Sequence, residues 1–162
     1  MISNKIKDGI KGDVNIPSDK SISHRSIIIP SISKGISEIN NLLMSDDVIH
    51  TLNAFKTLGV KIETSNDKVI IYGKGLNSLR KPDRSIYLGN SGTSARLLTG
   101  LLASQTFQTI LEGDHSLSSR PMARIMDPLK LMGAKFENVS GTLPLKILGK
   151  KLNRSTIEIE IP

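Results

Sequence analysis

Two segments of the sequence combine hydroxyl side chains with cations at positions that suit anion binding. Residues 19–25 read Asp-Lys-Ser-Ile-Ser-His-Arg, and residues 90–96 read Asn-Ser-Gly-Thr-Ser-Ala-Arg. Each segment is followed by an apolar run typical of a helix, so each is expected to open a helix. Backbone N–H groups at a helix start and a nearby cation together bind phosphates and carboxylates. The pair of segments therefore predicts a protein that binds such anions.

Each segment also has a purely structural interpretation. Taken alone, Lys20 would be a solvated side chain, although the positive end of a helix disfavours a cation there, and Ser21 would be a helix cap. Residues 90–93 alone would be a turn and a cap, and no Gly-Lys-Ser or Gly-Lys-Thr follows to make a P-loop. Arg96 fits a ligand contact and a structural ion pair equally well. The residue types favour anion binding without fixing which side chains take part.

The elements that carry these segments belong to a duplicated unit. Residues 58–63 match residues 132–137 at an offset of 74, and residues 71–74 match residues 147–150 at an offset of 76. A period of this length exceeds that of common solenoids. Each copy is therefore predicted to be a small subdomain with its own strands and helices.

Each copy is predicted to run strand, helix, strand, helix, strand, strand, which gives an α/β fold with mixed sheets. In the first copy, about residues 13–75, these elements are 13–16, 20–33, 36–40, 46–58, 60–64 and 68–72. In the second copy, about residues 85–150, they are 85–88, 91–103, 108–111, 121–132, 135–138 and 143–148. Asp46 is expected to cap its helix, residues 65–67 to form a hairpin turn, and Pro121 to be the first residue of its helix.

A third copy is predicted to begin near residue 155. Residues 157–162 resemble residues 14–17, after which the first copy continues into its helix start. The sequence therefore leads us to expect a truncated chain, with a third helix start beyond Pro162.

Composition narrows the class of protein. The net charge of +7 would suit nucleic-acid binding, but the chain has only five aromatic residues (three Phe and two Tyr) and no stacking motif. A basic cleft for small anions is preferred. There is no cysteine, the three histidines have no metal-ligand spacing, and no apolar run reaches membrane length. We therefore expect no metal, no nucleic-acid partner and no membrane segment.

Three motifs carry a family resemblance. Residues 17–25, 88–96 and 113–122 resemble the signature segments of the 3-phosphoshikimate 1-carboxyvinyltransferase (EPSP synthase) family, in order and at family spacing, and the resemblance extends to residues 41–47. The resemblance implies the enolpyruvyl transferase fold of two domains, each made of three such units. It implies that residues 1–17 supply a strand to the partner domain. Residues 18–162 would then be an incomplete substrate-binding domain.

The resemblance also implies an activity. It is the transfer of the enolpyruvyl group of phosphoenolpyruvate to the 5-hydroxyl of shikimate 3-phosphate, a step of aromatic amino acid biosynthesis through the shikimate pathway. No cofactor is implied, and the full-length protein is expected to be a cytoplasmic monomer. We expect these 162 residues alone to be inactive and at best weak substrate binders.

The resemblance assigns roles residue by residue. Lys20 would lie between both substrates and stabilise developing charge, and Asp47 and Asn90 are weaker catalytic candidates. Shikimate 3-phosphate would be bound by Lys20, Ser21 and Arg25. Phosphoenolpyruvate would be bound by Lys20, Gly92 and Arg120, with Thr93 and Arg96 as possible contacts. Gly92 would let the ligand approach the backbone and would point its amide at it.

Two other functions stay open. A UDP-N-acetylglucosamine enolpyruvyl transferase resembles this family but typically carries a Cys in the loop that corresponds to residues 113–120, where this sequence has none. Alternatively, the polypeptide is an anion-binding module without turnover. The segment Asp19-Lys20-Ser21 fits the shikimate branch better than the first of these.

Overall fold

A computed structural model describes residues 12–14, 16–65, 68–137 and 140–158 of the chain. Some expectations fall outside these residues. They are most of the partner-domain strand within residues 1–17, the tip of the hairpin at residues 66–67, the last position of the predicted strand 135–138, and the end of the third copy at residues 159–162. None of the helices in the described part is long and apolar enough to cross a lipid bilayer.

The first unit contains two helices packed on a three-stranded sheet. Its elements are α1 (Lys20–Ile32), β1 (Lys34–Asn40), α2 (Asp46–Thr57), β2 (Lys61–Thr64) and β3 (Lys68–Lys74). The strand order is β1-β3-β2, and both pairings are antiparallel. Alternating burial along β3 places Val69 and Ile71 in the core, as expected for a sheet covered on one face.

The second unit repeats this arrangement with additions. Its elements are β4 (Ile86–Tyr87), α3 (Gly92–Ala103), β5 (Gln108–Glu112), α4 (His115–Ser118), α5 (Ala123–Leu131), β6 (Lys135–Glu137) and β7 (Leu145–Leu148). The strand order is β4-β5-β7-β6, with β4 and β5 parallel and the other pairs antiparallel. The order β5-β7-β6 repeats β1-β3-β2, which confirms the predicted duplication and the α/β class with a mixed sheet.

The predicted first strands of the two copies differ in outcome. In the second copy, β4 forms and pairs with β5. In the first copy, Asp13, Val14 and Ile16 belong to no strand, and Val14 and Ile16 are each 78% exposed. A strand needs a hydrogen-bonded neighbour, and no described strand pairs with this segment. The predicted strand at 13–16 is wrong for these three residues, and Ile157 and Glu158 of the third copy also lie outside any strand.

Two predicted helix starts are also corrected. The α5 helix begins at Ala123 with Met122 as its cap residue, so Pro121 is not its first residue. The reason is that the short helix α4, which was not predicted, occupies the preceding residues, and the buried Met122 donates its N–H to the carbonyl of Gly141. In α2 the cap residue is Ser45, and Asp46 is the first helical residue.

The core lies between the helices and the two sheets. The inner faces of α1, α2 and α3 contact one another as well as the sheets, which brings the two units together. Its largest fully buried side chains are Phe55, Ile27, Leu58, Ile71, Leu88, Leu98, Leu102, Leu111, Leu117, Met122, Leu145 and Ile147. Burying apolar side chains of this size contributes about 1.5–3 kcal/mol each. This packing fixes the relative positions of the three helix starts.

Candidate functional site

One small, strongly polar cavity collects most of the predicted site residues. Its volume is about 300 Å³. Its lining residues are Lys20, Asp47, Asn90, Gly92, Thr93, Arg96 and Arg120. We call this space the anion cavity, because three cationic side chains and one carboxylate line it.

The anion cavity lies at the N-terminal ends of three helices. Lys20 is the first residue of α1, Asp47 the second residue of α2, and Gly92 and Thr93 the first two residues of α3. The first turn of a helix has N–H groups without an intrahelical partner and carries about half a positive charge. Three such ends and three cations therefore produce a positive field in one place.

At the start of α1, local hydrogen bonds fix the backbone that carries Lys20. The carboxylate of Asp19 accepts from the N–H of Ile22 at 2.6 Å, so Asp19 is the cap, and the cap interpretation of Ser21 is wrong. The hydroxyl of Ser23 donates to the carbonyl of Asp19 at 2.8 Å and accepts from the N–H of Leu43 at 3.1 Å. These bonds connect the start of α1 to the segment before α2.

Lys20 is paired with Asp47 across the anion cavity. The distance from Nζ to Oδ2 is 2.8 Å, and the two side chains are 53% and 24% exposed. Exposed ion pairs of this kind contribute about 0–1 kcal/mol to stability. The contact therefore serves mainly to orient the ammonium group towards the cavity.

The start of α3 has a tight turn that was not expected. Ser91, with φ of −78° and ψ of 89°, is the cap residue, and the N–H of Gly92 donates to the carbonyl of Asn90 at 3.0 Å. This is an inverse γ-turn. That N–H is therefore bonded within the turn in this structure, and the expectation that the Gly92 amide points at a ligand stays a prediction.

The absence of a side chain at Gly92 provides space for two arginines. A Cβ at this position would lie 2.8 Å from Nη1 of Arg96 and 3.0 Å from Nη1 of Arg120. Nη1 of Arg96 also donates to the carbonyl of Gly92 at 3.2 Å. The missing side chain thus allows both guanidinium groups to lie against the backbone at the start of α3.

Arg120 is oriented by the α4 segment. Its Nη2 donates to the side-chain oxygen of Asn90 and to the hydroxyl of Ser116, the latter at 3.4 Å. The short helix is held by the carboxylate of Asp114, which accepts from the N–H of Leu117 at 2.7 Å, while Leu117 is fully buried. The motif at residues 113–122 therefore brings a cation to the anion cavity.

Ser21 and Arg25 do not line the anion cavity. Both are exposed on α1, and since they are four residues apart they share one face of that helix. Lys20 adjoins this face and the cavity. The structure thus separates the predicted residues into a cavity group and a neighbouring group on α1.

Four polar side chains beneath the anion cavity were not expected to act together. Nδ1 of His24 lies 2.8 Å from Oγ1 of Thr51, which lies 2.6 Å from Oγ of Ser94, and Ser94 lies 2.7 Å from Oγ of Ser91. All four residues are buried. The pKa of His24 is lowered mainly by burial, against the attraction of Asp47 and with a smaller contribution from Lys20. The ring is therefore neutral at pH 7.

This network has a signal in the sequence. His24 follows Lys20 by four residues and Thr51 follows Asp47 by four, so each lies one helical turn below a cavity residue.

Among the described residues, no group of three or more His, Asp or Glu side chains could hold a metal ion.

Comparison with known proteins shows which family the sequence matches. A family model described as EPSP synthase (3-phosphoshikimate 1-carboxyvinyltransferase) matches residues 4–162. The 3-phosphoshikimate 1-carboxyvinyltransferase of Ruthia magnifica subsp. Calyptogena magnifica is 51% identical over 145 residues, which cover 90% of this chain and 33% of that protein. The protein of the same name from Vesicomyosocius okutanii subsp. Calyptogena okutanii is 53% identical over 138 residues, covering 85% and 32%.

A solved structure, EPSP synthase from Acinetobacter baumannii, matches the fold with a TM-score of 0.85 at 42% identity, covering 93% of this chain and 35% of that one. The chain spans about a third of the length of the curated relatives it matches. Because the family model matches nearly the whole sequence, the chain belongs to the EPSP synthase family.

Proposed function

We propose that this chain forms part of the site at which the enolpyruvyl group of phosphoenolpyruvate is transferred to the 5-hydroxyl of shikimate 3-phosphate. The observation that carries the proposal is the convergence of Lys20, Arg96 and Arg120 with three helix starts on one cavity of about 300 Å³. Both substrates are multiply charged anions that repel each other. A fixed set of cations and helix ends offsets that repulsion.

Phosphoenolpyruvate is the ligand that suits the anion cavity. Its phosphate and carboxylate need separate cationic partners, and guanidinium groups of both Arg96 and Arg120 lie next to the space above Gly92. Guanidinium groups bind such oxyanions with two parallel hydrogen bonds. Thr93 adds a hydroxyl at the same edge, and Asn90 keeps Arg120 in place through its side-chain oxygen.

Shikimate 3-phosphate would bind beside the cavity along α1. Ser21 and Arg25 offer a hydroxyl and a guanidinium on one exposed face of that helix, adjacent to Lys20. In this arrangement the ammonium of Lys20 lies between the two ligands. In this proposal Lys20 contacts both substrates, whereas Ser21 and Arg25 contact only shikimate 3-phosphate.

The reaction is an addition followed by an elimination. The 5-hydroxyl gives up its proton and its oxygen bonds to the central carbon of phosphoenolpyruvate, while the methylene carbon of phosphoenolpyruvate gains a proton. The carbon–oxygen bond to phosphate then breaks, and loss of a methyl proton restores the double bond. Lys20 would stabilise the charge that develops near the attacking oxygen. Asp47, held 2.8 Å from Lys20, is proposed as the carboxylate that keeps this ammonium in place and takes part in proton movement.

Calorimetric titration of the chain with each substrate tests the proposal. We expect Lys20→Met to abolish measurable binding of phosphoenolpyruvate, since it removes the ammonium and keeps a side chain of similar length. Lys130→Met is the matched control. Lys130 is also 53% exposed, and its Nζ forms an ion pair with Oδ1 of Asp127 at a distance of 3.1 Å. Neither residue lines the cavity. Equal binding by both variants would contradict the proposal. A phosphate-release assay with both substrates measures turnover of the same samples.

The proposal extends to domain organisation and location. Residues 18–162 would belong to the substrate-binding domain and residues 1–17 to its partner domain, in a monomeric cytoplasmic protein without a cofactor or nucleic-acid partner. Support comes from the family match. Light scattering after size-exclusion chromatography tests the monomeric state, and a dimer would contradict it.

A further inference from the structure

The buried polar network beneath the anion cavity joins the three helices whose starts form it. His24 comes from α1, Thr51 from α2 and Ser94 from α3, and all three are fully buried. These contacts span 27 residues between His24 and Thr51 and 43 residues between Thr51 and Ser94. The bonds are therefore between separate elements of the fold, and one of them joins the two duplicated units.

The distances fit an arrangement of hydrogens in which every hydroxyl has an acceptor, and Oγ of Ser94 also lies 3.4 Å from Nδ1 of His24. Oγ1 of Thr51 lies 3.2 Å from the carbonyl oxygen of Asp47, one turn earlier in α2. Oγ of Ser91 accepts a hydrogen bond from the N–H of Ser94 at 3.3 Å. If Thr51 donates to that carbonyl, it can accept from both Ser94 and His24, which fills the capacity of a hydroxyl group. Ser91 then donates to Ser94, and Nδ1 of His24 carries the hydrogen.

The second nitrogen of His24 agrees with this arrangement. Its Nε2 is buried without a hydrogen-bond partner. A buried N–H without a partner is rarer than an unpaired acceptor, so the hydrogen belongs on Nδ1 and the lone pair on Nε2. Every hydroxyl hydrogen of Thr51, Ser91 and Ser94 then has an acceptor.

We propose that His24, Thr51 and Ser94 are positioning residues, which set the relative placement of Lys20, Asp47 and Gly92 around the anion cavity. His24 and Thr51 each lie one helical turn below Lys20 and Asp47, and Ser94 lies two residues after Gly92. The shared hydroxyl of Thr51 holds the three helix starts at fixed distances. For substrate binding the inference rests on the proposed function, whereas the geometry it predicts does not depend on a ligand.

Thr51→Val is the decisive variant, because it keeps the shape of the side chain and removes the shared hydroxyl. Thr99→Val is its matched control. Thr99 is also fully buried, but its hydroxyl donates only to the carbonyl of Ala95 one turn back, at 2.7 Å. Thr51→Ser restores the hydroxyl and serves as the rescue variant. All three are made in the full 162-residue chain and compared by urea denaturation for folding.

The first measurement needs no ligand. We expect Thr51→Val to shift the backbone amide NMR signals of Lys20 and Gly92, which lie on helices other than the mutated one, and Thr51→Ser to restore them. Thr99→Val is expected to leave the Lys20 signal in place. Imidazole nitrogen spectra are expected to show a neutral His24 with the hydrogen on Nδ1. Unshifted Lys20 and Gly92 signals in Thr51→Val, or a hydrogen on Nε2, would overturn the inference.

The second measurement is titration with phosphoenolpyruvate. Thr51→Val leaves the buried hydrogen-bond partners of the Thr51 hydroxyl unsatisfied. If this change disturbs the anion cavity, the affinity for phosphoenolpyruvate falls about tenfold. We expect that loss for Thr51→Val and none for Thr99→Val. Equal affinities would refute the positioning role. If the unmodified chain binds no phosphoenolpyruvate, the proposed function fails, and the amide signals still decide whether the network positions the helix starts.

Discussion

Replacing Gly92 by Ala adds one methyl group at the point where two guanidinium groups meet. The added Cβ would lie 2.8 Å from Nη1 of Arg96 and 3.0 Å from Nη1 of Arg120. Ordinary contacts are about 3.5–4.0 Å, so each group must move by roughly 0.5–1 Å. Both contacts involve the ends of flexible side chains. We therefore expect the fold to tolerate the substitution and the anion cavity to change.

The cost falls on the ligand that both arginines are proposed to bind. A hydrogen bond to a charged group contributes about 1.5–3 kcal/mol. If the displacement costs the equivalent of one such bond, phosphoenolpyruvate binds about 2 kcal/mol more weakly, which is roughly 30-fold in affinity. The helix itself is not destabilised, because Gly92 is its first residue, has no positive φ and can be replaced by the better helix former Ala. Gly92→Ala is thus expected to bind less while unfolding no more easily.

Calorimetric titration and urea denaturation measure these two effects separately. Gly100→Ala is the matched control, since Gly100 lies on the same helix and a Cβ there would meet nothing within 4 Å. The control is expected to keep the affinity and to share any gain in stability. If Gly92→Ala binds phosphoenolpyruvate as tightly as Gly100→Ala, the two arginines do not act on the ligand as proposed.

Two further predictions concern stability. Because burial lowers the pKa of His24 below its ordinary value of 6.5, stability is full above that pH and falls as the pH drops towards the folded pKa. The urea midpoint is expected to be lower at pH 5.5 than at pH 7.5. His24→Asn, which does not titrate, is expected to lose this part of the pH dependence. If the variant keeps the same pH dependence, His24 is not its source. Gly73→Ala would place a Cβ 2.2 Å from the carbonyl oxygen of Pro30 and 2.3 Å from that of Ser33. Since both are backbone atoms, we expect a loss of roughly 1–3 kcal/mol in free energy of unfolding, and unfolding at the unmodified midpoint would refute the close packing of β3 on α1.

Local signals were enough to predict most elements and the helix starts that line the anion cavity. The starts of α1 and α3 follow from capping side chains and apolar spacing that act within a few residues, and the structure confirms both. The grouping of Lys20, Gly92 and Arg120 in one cavity also agrees with the motifs that carry the family resemblance. The helix starts could be predicted because the residues that specify each of them are close together in the sequence, whereas the grouping of distant residues in one cavity was expected only from the family resemblance.

Features that depend on contacts between distant segments were missed. The α4 helix depends on the burial of Leu117 in the core, which no local period reveals, and its presence delays α5 by two residues. The turn at Ser91 engages the Gly92 amide through a backbone conformation that several residue types can adopt. The His24 and Thr51 contact requires the crossing of α1 and α2. In each case the local sequence is compatible with more than one backbone conformation or side-chain contact, and tertiary packing determines which one forms.

The ion pair between Lys20 and Asp47 gives the anion cavity a resident counter-ion. An incoming anion does not meet a bare ammonium group but has to share it with, or take it from, a carboxylate that is fixed to the protein. Binding then requires the ammonium of Lys20 to exchange one anionic partner for another, while the carboxylate of Asp47 stays nearby because it belongs to the same chain. Weak monoanions are disfavoured in such an exchange, whereas a ligand with concentrated negative charge and several contact points competes well. If the cavity binds anions as proposed, the carboxylate that orients Lys20 also selects which anions bind there.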